Sequence, residues 1–174
     1  MPKNTDWEKM ALRRAKFVIE EARCDQPVYD QTVTAALRVI SNWATVGRNG
    51  SSAAIKWLNP RLSEAAWDLY HSVTDAEWQQ GTINEHPEPI SQVWLWILRE
   101  KESIDPQAVL HRMQQWPMIT VTRQEDAAIS QSGNRAKGDP EVRHALIKLG
   151  RVGPPQKRKK PNPIPTALFW SEQQ

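Results

Sequence analysis

The sequence predicts an all-α fold: a compact irregular bundle of about seven helices, followed by an extended, proline-rich, basic C-terminal arm. Three observations predict it. Apolar residues recur at helical spacing in stretch after stretch. Capping motifs open those stretches and glycine or proline closes them. After Gly150, five prolines fall within residues 151–165, which excludes a helix and favours an extended, partly polyproline-like chain.

Thr5-Asp6-Trp7-Glu8 is a capping-box sequence, and Trp7, Met10, Ala11, Phe17 and Val18 follow on one face. Val33, Leu37, Ile40, Trp43 and Ala44 make a second stripe, closed by Gly47-Arg48-Asn49-Gly50. Ser51-Ser52 caps a short third helix with Ile55, Trp57 and Leu58. Asn59-Pro60 reads as a cap and first-turn proline for a helix carrying Leu62, Ala65, Ala66, Leu69 and Val73.

Thr74-Asp75-Ala76-Glu77 is a second capping box, and Gly81 stops its short helix. The stretch from Asn84 to Pro89, with prolines at 87 and 89, is a rigid loop. Ile90, Val93, Trp94, Ile97 and Leu98 then form a helix that, with Leu95 and Trp96 also apolar, is expected to be buried on most sides. Asp105-Pro106 opens a helix with Val109, Leu110 and Met113 inward. Met118 to Val121 is a short extended piece. Thr122 to Glu125 is a third capping box, before Ala127, Ala128 and Ile129. Asp139-Pro140-Glu141 caps a last helix with Val142, Ala145, Leu146 and Leu149 apolar and Gly150 as its stop. No strand pair is expected. Residues 1–150 form the helical domain and residues 151–174 the tail.

The 174 residues suffice for one domain with a core. Nine tryptophans supply much of the apolar surface, and each buried indole N–H needs an acceptor, so several rings belong at the core's edge. Cys24 is the single cysteine, which excludes an intramolecular disulfide and a cysteine-based zinc site and fits a reducing compartment. The N-terminus has no apolar signal region and no apolar run is long enough to span a bilayer. The expected location is intracellular: cytoplasmic, or nuclear in a eukaryote.

Charge is distributed unevenly. Residues 133–161 carry nine basic and two acidic side chains, net +7, whereas residues 1–132 carry 14 basic and 17 acidic, net −3. A basic block appended to a mildly acidic body points to a polyanionic partner or an address signal. Arg135, Lys137, Arg143, Lys148 and Arg151 lie on and around the last helix, and Lys157, Arg158, Lys159 and Lys160 follow on the proline-flanked arm. Such an arm tracks a phosphate backbone with salt-sensitive affinity and carries no sequence code. Residues 122–149 resemble a helix-turn-helix only loosely, because the turn from Ser132 to Gly138 exceeds the usual three or four residues.

Catalytic signatures are missing: no P-loop, dinucleotide fingerprint, zinc-protease or nucleophile-elbow motif occurs. His71, His86, His111 and His144 are not spaced to share a metal. His71 and Asp68 make a surface pair. Cys24 sits at the C-terminal end of its helix, where the dipole raises a thiol pKa. Gly47 to Ser52 is the one phosphate-cradle sequence, and an ordinary connector is the favoured reading of it.

The function expected is therefore non-enzymatic, with no cofactor and no metal: a helical protein that binds DNA, RNA or nucleoprotein through its basic C-terminal region. The acidic body, with Glu64, Asp68, Asp75 and Glu77, offers a protein contact. The alternative is an adaptor or assembly subunit, with a protein partner or a second copy of the chain, that docks through Leu168, Phe169 and Trp170, an apolar group out of place in free solvent. A third reading is a small helical enzyme using His86 with Glu85 or Glu88 in the rigid loop.

Overall fold

The computed structural model describes residues 4–132, 142–143, 147, 149–153 and 155–156. Among them are eight helices and a small four-stranded sheet. The chain is thus predominantly helical, and the sheet corrects the expectation of an all-α fold.

Helices α1 (Asn4–Arg23), α2 (Gln31–Val46), α6 (Ile90–Glu100) and α7 (Pro106–Gln115) pack together around one core. Ala11, Ala15, Val18, Leu37, Ile40, Val93, Ile97 and Leu110 fill it, each essentially inaccessible to solvent. Helix α1 begins before the proposed Thr5 cap, which places Thr5 inside the helix. Asp30 caps α2 by accepting from Thr32 and Val33 N–H, and Gly47 ends it at φ 70°, a left-handed conformation that glycine adopts without penalty. Asp105 caps α7 with Pro106 in the first turn, as its sequence predicts. Helix α6 is less buried than expected: Val93, Trp94 and Ile97 face inward, but Leu95 is exposed.

The sheet has strand order β2-β3-β1-β4, formed by β1 (Arg61–Ser63), β2 (Thr82–Glu85), β3 (Ile119–Thr122) and β4 (Leu149–Val152). β1 is parallel to β3 and antiparallel to β4, and β2 is antiparallel to β3, with Glu85 opposite Ile119. Only β3 coincides with an extended piece foreseen in the sequence. Asn59-Pro60 does not cap a helix. Asn59 is fully buried, and its side chain donates to Met118 O and Thr120 Oγ1 and accepts from Arg61 N–H. It thereby ties the start of β1 to β3, and Ser63 takes over as the cap of α4 (Glu64–Ser72). Leu149 and Gly150, expected at the end of the last helix, belong to β4, so the boundary placed at 150 falls inside a strand. Of that helix, Val142 and Arg143 are helical, and Val142 is exposed rather than packed.

Short helices cover the sheet: α3 (Ser52–Leu58), α4, α5 (Asp75–Gly81) and α8 (Arg123–Gln131). The capping boxes at Thr74 and Thr122 both form, each with reciprocal bonds to the glutamate three residues on. Trp57, Leu62, Ala66, Tyr70 and Trp78 make a second core, with Trp57 and Trp78 ring centroids 4.6 Å apart. The Trp78 indole N–H donates to Ala66 O at 2.9 Å, which satisfies the one polar atom of a fully buried ring. Trp43, Trp67, Trp96 and Trp116 are only partly buried, at the core's edge. No helix among the described residues is long and apolar enough to cross a membrane.

Candidate functional site

Two regions bear on function: the segment from β2 into α6, and the point where the chain leaves the sheet toward the basic quartet.

The first region gathers three charged or titratable neighbours in sequence, Glu85, His86 and Glu88, with prolines at 87 and 89 fixing the path between them. Their partners come from far along the chain. Glu88 is buried and accepts a forked pair of bonds from Arg112 of α7, Nε to both carboxylate oxygens at 3.1 Å and a terminal nitrogen to Oε1 at 2.5 Å. The same guanidinium lies over the Trp96 ring, 4.4 Å from its centroid. Glu85 pairs with Arg143, which is almost wholly buried and also donates to His86 O at 3.4 Å. Burial lowers the Arg143 pKa from its ordinary value, and the Glu85 carboxylate supplies the compensating charge.

His86 hydrogen-bonds neither carboxylate. Its Nδ1 lies 3.1 Å from Ser41 Oγ of α2. Desolvation, helped by the positive charge of Arg38, lowers its pKa from 6.5 to about 4, so the ring is neutral at physiological pH. Both carboxylates are thus committed to guanidinium groups, and the imidazole is not oriented by either of them. An acid–base pairing of His86 with Glu85 or Glu88 has no geometric counterpart here.

Beside His86, a cleft of about 920 Å³ opens between α2, the 49–52 loop, β2 and the start of α8. A smaller cavity of about 240 Å³ adjoins it toward α6, and Thr34, Arg38, Glu85 and His86 line both. Asn42 donates to Asn49 Oδ1 at 2.8 Å across the mouth of the 47–50 turn, and Asn84 bridges β2 to Ser52 O and Thr120 Oγ1. Arg38 is exposed and has no carboxylate partner among the described residues. Lys56, below the cleft, is buried and donates to the carbonyls of Gln79 and Thr82, and desolvation lowers its pKa, with a smaller push from Arg123.

Comparison with protein-family models, curated proteins and solved structures returns no match for this chain.

The second region is the exit from the sheet. Gly153 N–H donates to Pro60 O at 2.7 Å, Pro155 is buried, and Tyr70 Oη donates to Gln156 O at 2.5 Å. The chain is therefore held against α4 through residue 156, immediately before Lys157.

The expected site residues divide accordingly. Arg143, expected among the polyanion contacts, faces inward to Glu85 and is almost wholly buried. Arg151 lies on β4, in register with Leu62 of β1. Arg135, Lys137, Lys148, Lys157, Arg158, Lys159, Lys160, Leu168, Phe169 and Trp170 lie outside the described residues. His71 is exposed and meets the Trp67 ring edge-on at 4.5 Å. Among the described residues, no group of three or more histidine, cysteine or acidic side chains could hold a metal ion. Sequence reasoning missed Arg38, Ser41 and Asn42, because a polar position on an amphipathic helix looks the same whether it faces solvent or a cleft.

Proposed function

We propose that the chain binds nucleic acid, or nucleoprotein, through the basic segment that follows Gln156. The observation that supports this most is the fixed exit from the sheet: the bonds at Gly153 and Gln156 and the buried Pro155 hold the backbone up to the residue before Lys157-Arg158-Lys159-Lys160. Four consecutive cations starting from an anchored point lose less entropy on binding than the same four at the end of a free chain. Four adjacent cations on a body of opposite net sign favour a partner that brings several phosphates over a single anion. Arg143 takes no part. Its charge is spent on Glu85.

Binding of this kind releases counterions, so its affinity falls steeply with salt and depends little on sequence. The test is a mobility-shift titration of the whole chain against duplex DNA and single-stranded RNA over a salt series. Replacing Lys157, Arg158, Lys159 and Lys160 with alanine should flatten the log–log salt slope by about 3 to 4 for duplex DNA. An unchanged slope, or no binding by the parent chain even at low salt, refutes the proposal.

A further inference from the structure

The cleft beside His86 is a second region, independent of the basic segment. Three arginines of the described chain lie in or next to this region, and two of them, Arg112 and Arg143, are neutralised by Glu88 and Glu85. Arg38 is not, although it lines both cavities together with His86. Ser41 occupies Nδ1 of that ring. When Ser41 donates, Nε2 carries the ring proton and is the donor left for a ligand. One helical turn on from Arg38, Asn42 donates through Nδ2 to Asn49 Oδ1, which leaves the Asn42 carboxamide oxygen and the Asn49 amide group for a guest. Val39, Ile83 and Met118 add apolar surface to the same lining.

We propose that this cleft is a binding site for a small organic anion, with its carboxylate or phosphate held by Arg38 and His86 and its uncharged body against Val39, Ile83 and Met118. The volume, about 920 Å³, suits a small organic molecule. The sign of the charge follows from the ion pairs: with Glu85 cancelled by Arg143, the wall shared by the two cavities carries the single positive charge of Arg38. Asp126 lines only the larger cavity, away from that wall, and disfavours a second anionic group there. Arg38 is exposed and needs no rearrangement of an existing ion pair to take up an anion.

The test uses the full chain carrying the Lys157–Lys160 alanine changes, so that anion binding by the basic segment contributes nothing and the two proposals fail separately. Benzoate and phenyl phosphate are titrated as the carboxylate and phosphate probes, with benzamide as the uncharged control, and amide and side-chain NMR shifts are followed. Saturable shifts at Arg38, Asn42, Asn49 and His86 with either anion, at least about tenfold weaker with benzamide, are expected, and the tighter anion identifies the head group. Arg38→Gln, at an exposed position, should weaken binding about tenfold, while Arg48→Gln on the neighbouring turn should not. Equal binding of benzamide, unchanged affinity in Arg38→Gln, or no saturable shift with either anion overturns the site.

Discussion

His86 couples folding to pH, and the size of the coupling follows from its surroundings. The ring is half-buried beside Ser41 and near Arg38, and desolvation with the positive charge of Arg38 puts its folded pKa at about 4 against 6.5 in its ordinary state. Between those values the unfolded chain binds a proton that the folded chain refuses, so stability rises with pH through this window and falls as pH drops below 6.5. The full difference amounts to about 3 kcal/mol, and about 2 kcal/mol of it lies between pH 7 and pH 5. Urea unfolding at pH 7, 6 and 5, before most carboxylates titrate, measures it. His86→Gln keeps a polar side chain opposite Ser41 but cannot gain the proton. Its stability should vary between pH 7 and pH 5 by about 2 kcal/mol less than that of the parent chain. Equal pH slopes in the two proteins would show that His86 is solvated enough to titrate normally, and would refute the desolvation argued for the ring.

Three further outcomes follow from single contacts. Tyr70→Phe removes the bond to Gln156 O and should cost about 1 kcal/mol of local stability, so that trypsin cleaves after Arg151 about fivefold faster, followed by mass spectrometry. Asn59→Ala loses two donated bonds and the turn to Arg61 N–H in a fully buried position, and should lower unfolding free energy by about 2 to 3 kcal/mol in urea. Arg112→Met leaves Glu88 buried without its guanidinium and should cost about 2 to 3 kcal/mol in urea unfolding at pH 7; a loss matched by Glu88→Gln with Arg112 kept would trace it to the ion pair, and no loss in either would refute its importance.

The helices were legible because each repeats a local signal. Thr74 and Thr122 cap through side chains three residues away, and Val33, Leu37 and Ile40 mark one face of α2 within two turns. The sheet was not, because its strands have three or four residues each, too few for an alternating pattern to stand out. β3 buries Ile119, Thr120 and Val121 in succession, which shows no period of two at all. What holds β1 in place is Asn59 reaching Met118 and Thr120, a contact between distant parts of the chain that Asn59-Pro60, read locally, presents as a helix cap.

The same limit separates the two charge arguments. Counting side chains placed Arg143 in a block of net +7, and the block is real as composition, but a sum has no direction. Arg143 turns inward because Glu85, on β2 and from the acidic body, meets it in a nearly dry site. One cation of the basic block therefore serves the fold. Arg38 makes the converse case. It belongs to a stretch with no net basic excess, yet it carries the charge left uncompensated beside the cleft. Net charge along the sequence thus identifies where a polyanion would find many cations, and the pairing of individual carboxylates decides where one small anion would find one.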